Sequence, residues 1–126
     1  MIARIFVMSL FVFGIIYLSP VQSLAGKAEG EKIFQTRCTI CHTIGGGKLV
    51  GPDLGEVFKR RQVAWVKKFI KDPDKMINKD KDPIAVKLFN DNNMVPMVVS
   101  PALTDKERDD VVDYLQDATK GKAPKS

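Results

Sequence analysis

Apolar and polar residues recur along most of the chain with the spacing of amphipathic helices. A first short helix is predicted over residues 28–37, where Ile33 and Phe34 lie on one side and charged residues on the other. Another helix is predicted to end at Asp72-Pro73, because the residue before a proline disfavours helical backbone geometry. The apolar positions of that helix are Val63, Trp65, Val66, Phe69 and Ile70.

Two later helices have clear N-terminal signals. Proline fits the first helical turn, so Asp82-Pro83 predicts the start of one short helix. Thr104 begins the last helix, and Glu107 three residues later completes a capping box. The apolar residues that these helices would bury are Ile84, Val86, Leu88 and Phe89 in the first, and Val111, Val112 and Leu115 in the second.

The remaining segments have the composition of loops. Gly45-Gly46-Gly47 and Gly51-Pro52 predict a long loop without regular structure, and the stretch 72–82 predicts a second one. Pro96 and Pro101 bracket an extended segment. Since strand signals are few, the pattern predicts an all-α domain of four to five short helices. A domain this small buries a modest share of its surface, so a large apolar ligand at its centre would add stability.

The first 25 residues have the organisation of a secretory signal peptide. A single charge, Arg4, precedes an apolar run from Ile5 to Leu18, and Ser23-Leu24-Ala25 offers the small residues that a cleavage site requires. The run is shorter than the ~20 residues that span a bilayer as a helix. We therefore expect cleavage after Ala25, with a retained membrane anchor as the alternative.

Cleavage at that point would leave residues 26–126 as the mature domain, located in the periplasm or another extracytoplasmic compartment. Residues 120–126 are basic and polar, and they predict a flexible tail. No internal repeat, low-complexity tract or domain boundary interrupts the mature chain, so we expect one domain.

The overall composition narrows the class of protein. Hydrophobic residues make up 44% of the chain and charged residues 28%, which is ordinary for a globular domain and excludes a disordered or coiled-coil protein. A net charge of +5 is too small an excess to predict nucleic-acid binding. Basic residues are dense at 59–61 and 67–71, which predicts either a solvated face or a docking surface for an acidic protein partner.

Both cysteines and the only histidine of the chain lie within one short segment, Cys38-Thr39-Ile40-Cys41-His42. C-x-x-C-H is the attachment signature of a c-type haem. Two thiols separated by two residues in a tight helical turn can reach the two vinyl groups of the porphyrin, and the next imidazole can bind the iron. The sequence therefore predicts one covalent haem c per chain, attached to Cys38 and Cys41, with His42 as an iron ligand.

Other interpretations of this segment explain it less well. A structural zinc site has four Cys or His ligands, and this chain has three such residues in total. A thioredoxin-like C-x-x-C motif belongs to a βαβ context, whereas helix and glycine-rich loop surround this one. A disulfide between Cys38 and Cys41 would leave His42 without a role.

From Lys27 to Leu115 the sequence resembles a monohaem class I cytochrome c. The resemblance lies in the order and spacing of Gly30 and Phe34, Cys38-Thr39-Ile40-Cys41-His42, Gly51-Pro52-Asp53-Leu54, a methionine region near residue 97, and Tyr114-Leu115. It implies a cytochrome c fold wrapped around the haem, in which Gly30 lets the first helix cross the last one closely, near Phe34 and Tyr114. It also implies that the Pro52 carbonyl accepts a hydrogen bond from the outer nitrogen of His42.

The resemblance further implies a methionine as the second axial ligand of the iron, which raises the reduction potential. We favour Met97, because Val95-Pro96-Met97 ahead of Leu103-Thr104 is similar to the family pattern. Two departures keep Met94 open as an alternative. Val98 stands where proline often follows the ligand, and the stretch before Leu103 is one residue longer than usual. Met76 lies ahead of a whole predicted helix and is the weakest of the three candidates.

The function that the resemblance implies is a diffusible single-electron carrier. It would exchange electrons with redox partner proteins as a monomer or in transient complexes, with no membrane span after signal removal. Enzymatic activity is not expected, because Cys38, Cys41 and His42 would all be engaged by the haem. The alternatives are a permanently bound haem subunit of a multi-subunit oxidoreductase, and a haem sensor or peroxidase-like protein with a displaceable sixth ligand.

The only tryptophan, Trp65, is predicted to pack on the haem edge. Its indole N–H reaching a haem propionate is the alternative, since a buried tryptophan usually finds a partner for that group.

Overall fold

The computed structural model describes residues 21–120. Within that range the chain is helical and contains no strand, which confirms the predicted all-α class. The five α-helices are α1 (Val21–Ile33), α2 (Val57–Arg60), α3 (Val63–Lys71), α4 (Pro83–Asp91) and α5 (Asp105–Thr119). Two π-helical turns accompany them, a first at Phe34–Cys38 and a second at Lys75–Lys79.

Most of the predicted signal segment and most of the predicted tail lie outside the described residues. Residues 21–25, the end of the predicted signal segment, form the start of α1. None of the helices in the described range 21–120 is long and apolar enough to cross a membrane.

The crossing of α1 and α5 is the principal helix contact of the fold. A Cβ atom at Gly30 would collide with the backbone carbonyl of Asp110 and would lie 3.0 Å from the Tyr114 Cβ. The Phe34 and Tyr114 rings are 5.7 Å apart and tilted by 43°. The predicted close crossing at Gly30 is thus confirmed, because only a residue without a side chain allows the two backbones to approach this far.

The main hydrophobic core lies where α1, α3 and α5 meet. Its buried members are Ile33, Phe34, Val66, Val111, Val112 and Leu115. A smaller second cluster lies on the other side of α3, where Met76, Ile77 and Ala85 are buried against Trp65 and Phe69. The Trp65 and Phe69 rings stack at 5.0 Å and form the base of this second cluster.

The segment 72–82 was predicted as a loop, and that prediction is wrong for its middle. It contains the second π-helical turn, and the Met76 side chain there is only 1% exposed. Burial of Met76 and Ile77 explains the difference, because two adjacent apolar residues carry no helical periodicity that a sequence pattern could reveal. The short helix α2 was not predicted either, and the first helix ends at Ile33 before giving way to a π-helical turn.

The predicted helix starts agree with the structure. Asp82 caps α4, and its Oδ1 accepts hydrogen bonds from the amides of Ile84 and Ala85 at 3.0 and 2.9 Å. The capping box of α5 is complete. The Glu107 amide donates to the Thr104 hydroxyl at 3.2 Å, and the Thr104 amide donates to the Glu107 carboxylate at 2.8 Å.

Candidate haem-binding site

A deep, mostly apolar cleft opens at the centre of the domain and encloses about 1450 Å³, its open mouth included. Its walls come from the first π-helical turn, the loop before α2, helices α2, α3, α4 and α5, and the extended segment before α5. Apolar side chains that line it include Phe34, Val57, Phe69, Phe89, Leu103 and Val111. Parts of the chain that lie far apart in sequence therefore share one apolar space, which suits a large flat ligand.

Cys38, Cys41 and His42 all line this cleft. The first π-helical turn ends at Cys38, and a tight turn follows in which the amides of Cys41 and His42 both donate to the Cys38 carbonyl, at 3.1 and 2.8 Å. The two thiols are not joined as a disulfide. Burial raises the pKa of the Cys38 thiol to about 11, although nearby Arg37 acts to lower it.

The imidazole of His42 is held by its outer nitrogen. Nδ1 lies 2.9 Å from the carbonyl oxygen of Pro52. A carbonyl only accepts, so Nδ1 carries the hydrogen and the lone pair of the neutral ring resides on Nε2. A metal-bound histidine commonly donates its second N–H in this way, which fixes the ring and raises its basicity. The hydrogen bond that the resemblance implied is therefore present.

Gly51 allows the loop to lie against that ring. A Cβ atom at this position would come within 2.5 Å of His42 Cε1 and 2.9 Å of its Nδ1. The Gly51 amide also donates to the Cys41 carbonyl at 2.8 Å, which joins the loop to the segment that carries both cysteines.

Asp53 gathers the glycine-rich loop around its carboxylate. Oδ1 accepts from the amides of Gly45 and Gly55 at 2.8 and 2.6 Å, and Oδ2 accepts from Gly47 at 2.5 Å. Desolvation acts to raise the pKa of Asp53, but these backbone amides and the Thr43 hydroxyl together hold it below the usual value of 3.8. Sequence reasoning gave Asp53 no role, although aspartate in a turn-rich loop commonly binds nearby amides.

The three methionines differ sharply in their surroundings. Met97 is half-buried and lines the cleft. Met94 is 65% exposed, does not contribute to the lining, and has a left-handed backbone with φ +56°. Met76 is 1% exposed and belongs to the second hydrophobic cluster.

Trp65 lines the cleft and stacks on Phe69, as the packing interpretation predicted. Its indole N–H donates to the Asp82 carboxylate, with both oxygens at 3.3 Å. That bond takes up the group that the propionate alternative would have needed. Asp82 therefore serves two purposes, since it also caps α4.

A buried guanidinium nitrogen lies beside the cleft without a protein partner. Arg61 Nε is buried and donates no hydrogen bond to any group in the described structure, while the guanidinium carbon lies 5.6 Å from the Trp65 ring centre. An orphaned cationic N–H against an apolar cleft suits a carboxylate of a bound group, such as a haem propionate. In the sequence Arg61 stands out only as part of the basic segment 59–61, because its position beside Trp65 is a feature of the tertiary structure.

These observations fit a covalently attached haem. The cleft is apolar, two cysteines and an oriented imidazole lie on one of its walls, a thioether lies on another, and a buried cation is present for a propionate.

The lysines of the basic segment 67–71 are paired with acidic residues within the molecule. Lys67 reaches Asp109 at 2.8 Å and Lys71 reaches Asp105 at 3.8 Å, both on α5. Lys68 pairs with Asp80 at 3.2 Å. These contacts favour the solvated-face interpretation, because a lysine with an acidic neighbour presents little net charge to a partner.

Comparison with known proteins identifies the family to which the chain belongs. A family profile described as Cytochrome c matches residues 27–119. The chain is 33% identical over 99 residues to a cytochrome c of Stellaria longipes, which covers 73% of this chain and 92% of that protein. It is 32% identical over 106 residues to a cytochrome c of Arabidopsis thaliana, at 78% and 95% coverage.

Solved structures give the same result. A cytochrome c from Rhodothermus marinus matches 85% of this chain and 88% of its own with a TM-score of 0.71 and 25% identity. A cytochrome c domain from Pseudomonas putida matches 73% and 89% with a TM-score of 0.62 and 36% identity. The chain therefore belongs to the cytochrome c family: it is a class I monohaem c-type cytochrome, a haem-based electron-transfer protein with covalently bound haem c.

Proposed function

We propose that this cytochrome is an extracytoplasmic single-electron carrier whose haem is attached through Cys38 and Cys41, with His42 and Met97 as the axial ligands. The observation that carries the proposal is the 2.9 Å contact between His42 Nδ1 and the Pro52 carbonyl in a cleft that both cysteines line. This contact leaves Nε2 free to bind iron and restrains rotation of the ring. When bound, the haem iron supplies a reversible ferric–ferrous couple.

A hydrogen bond of the chain ties together the two segments that carry the proposed ligands. Arg37, next to Cys38, donates from Nη1 to the carbonyl of Pro101 at 3.2 Å. This bond links the cysteine segment to the extended segment that contains Met97. A site that keeps the same ligands in both oxidation states reorganises little during electron transfer, so these links favour electron exchange over ligand exchange.

Support for Met97 over Met94 comes from burial. Met97 lines the cleft, whereas Met94 is 65% exposed and lies outside the lining. A thioether that binds the iron must reach into the cleft, which the exposed Met94 side chain does not do.

Contact with redox partners is supported by the apolar rim of the cleft. Val50, Val95 and Val98 line the cleft and are 48%, 47% and 74% exposed. Such a rim allows a partner protein to approach the haem edge closely during a brief encounter. The extracytoplasmic location rests on the signal-like segment at residues 1–25.

The experiment is to express the full chain with a haem-attachment system in a bacterium and purify the product. Intact mass, N-terminal sequence and the pyridine spectrum then report haem attachment and cleavage after Ala25. Carbon monoxide is added to the reduced protein. Slow or absent binding is expected for two protein ligands, whereas rapid binding would indicate an open or displaceable sixth position and contradict the carrier proposal.

Gel filtration of the native extract tests the association state. A haem peak at the mass of one chain is expected. Elution in a large, stable complex would favour the role of an oxidoreductase subunit instead.

A further inference from the structure

The hydrogen bond from His42 depends on a loop that has little intrinsic order. Residues 44–50 precede Gly51-Pro52 and include three glycines, of which Gly45 and Gly47 have left-handed backbones, with φ +77° and +93°. Glycine loses more conformational freedom on folding than any other residue, so such a loop needs specific contacts to keep one shape.

Two backbone hydrogen bonds flank Pro52. The Gly51 amide donates to the Cys41 carbonyl at 2.8 Å, and the Leu54 amide donates to the Thr43 carbonyl at 2.8 Å. These bonds connect the segment 41–43 to the segment 51–54 on either side of the His42 imidazole. Within the glycine-rich segment the Thr43 hydroxyl donates to the Gly47 carbonyl at 2.5 Å, and the Leu49 amide donates to the Gly51 carbonyl at 3.1 Å. None of these four bonds connects that segment to Gly55, which follows Pro52.

Asp53 makes the connection across Pro52 that these bonds lack. Its carboxylate accepts from Gly45 and Gly47 before Pro52 and from Gly55 after it, at 2.5 to 2.8 Å. Gly55 is itself in a confined position, where a Cβ atom would lie 2.9 Å from the Gly45 nitrogen. One side chain thus fixes both arms of the loop around the peptide that carries the Pro52 carbonyl.

We propose that Asp53 is a positioning residue for the axial histidine. By fixing the glycine-rich loop, it keeps the Pro52 carbonyl against His42 Nδ1, and so sets the basicity of the imidazole and the reduction potential of the iron. The inference rests on the proposed function only in that His42 is taken as the iron ligand.

The expected direction follows from ligand chemistry. A hydrogen bond donated by the imidazole makes that ring a stronger electron donor, which stabilises ferric iron. Loosening the loop weakens the bond, so the reduction potential rises. The Nδ1 hydrogen of His42 is also less protected from exchange with water.

The test compares Asp53→Ala and Asp53→Asn with the wild-type holoprotein. Asparagine keeps one acceptor oxygen but cannot accept at the second position, so it should give the smaller effect. In Asp53→Ala, exchange of the His42 Nδ1 hydrogen with water, followed by NMR in the ferrous protein, should accelerate about tenfold. That factor corresponds to the loss of the net free energy of about one hydrogen bond, the one between His42 and Pro52. The reduction potential should also rise, by more in Asp53→Ala than in Asp53→Asn.

Asp91→Asn is the matched control for loss of one negative charge. The Asp91 carboxylate pairs with the exposed Lys87 at 2.6 Å on α4. Asp91 meets the loop through its backbone carbonyl, which accepts from Lys48 Nζ at 3.2 Å and which the substitution keeps. It should leave the exchange of the His42 hydrogen unchanged and show how much the charge alone shifts the potential.

The inference would be overturned if the His42 Nδ1 hydrogen exchanged at the wild-type rate in both Asp53 variants. It would also be overturned if their reduction potentials shifted only as much as that of Asp91→Asn. A failure of the proposed function has a different appearance. In that case the wild-type spectrum itself would lack a haem-bound imidazole, or replacement of His42 would leave the iron coordination unchanged.

Discussion

His42 and Pro52, ten residues apart in the chain, are joined by a hydrogen bond of 2.9 Å between Nδ1 and the carbonyl oxygen. The bond fixes the tautomer of the ring as well as its orientation, because Nδ1 must donate. The glycine next to Pro52 makes the approach possible, and the first prediction concerns that residue.

Gly51→Ala should disturb the imidazole. A Cβ atom would lie 2.5 Å from His42 Cε1, so the loop or the ring must move. We expect a loss of about 1–3 kcal/mol in the free energy of unfolding, as for other forced contacts in packed regions. Denaturant unfolding measures the loss, and the NMR spectrum of the ferrous protein should show displaced His42 ring signals.

Gly47→Ala is the comparison for that variant. Gly47 has a left-handed backbone with φ +93°, which other residues adopt only with strain, but a Cβ atom there would meet nothing within 4 Å. It should lower stability by roughly 1–2 kcal/mol through backbone strain alone. Unchanged ring signals in Gly51→Ala would contradict the close approach.

Met97→Ala should remove the second axial ligand, whereas Met94→Ala should not. Loss of the sulfur-to-iron charge-transfer band in the red, a fall in the reduction potential and rapid carbon monoxide binding are expected for Met97→Ala only. The reason is that Met97 lines the cleft and Met94 is 65% exposed. Loss of the band in Met94→Ala with its retention in Met97→Ala would reverse the assignment.

Gly30→Ala should weaken the crossing of α1 and α5. The added Cβ would collide with the backbone carbonyl of Asp110, which cannot move without shifting the whole helix. We expect the unfolding free energy to fall by about 1–3 kcal/mol, a typical result of overpacking. Glu31→Ala, on an exposed position of the same helix, controls for helix propensity. Equal stability of the two variants would exclude a tight crossing.

Acid should remove part of the stability that Asp53 supplies. Its pKa is lower in the folded protein than the usual 3.8, because the loop amides stabilise the carboxylate. The contribution is therefore fully present above the unfolded-state pKa and is lost as the pH falls through the folded-state pKa. Unfolding free energies of wild type and Asp53→Asn, measured at neutral pH and at decreasing acid pH, should converge. A constant difference across that range would contradict the pKa depression.

The sequence determined the parts of this protein that depend on neighbours in the chain. The C-x-x-C-H spacing identifies the haem attachment by local geometry, and the capping residues Asp82 and Thr104 set the starts of α4 and α5 through bonds that span two or three residues. The crossing at Gly30 came from resemblance to a family in which the same spacing recurs, and the structure agrees with it.

Tertiary structure decided whatever depends on residues far apart in sequence. Trp65 donates to Asp82, seventeen residues away, and Lys67 and Lys71 of α3 pair with acidic residues on α5. Met97 lines the cleft and Met94 does not, although both lie in one short segment. The Asp53 carboxylate binds amides of the glycine-rich loop, and the periodicity of apolar residues does not predict the shape of that loop. Hydrogen bonds and burial of this kind depend on distances in space, which a linear pattern of apolar and polar residues does not encode.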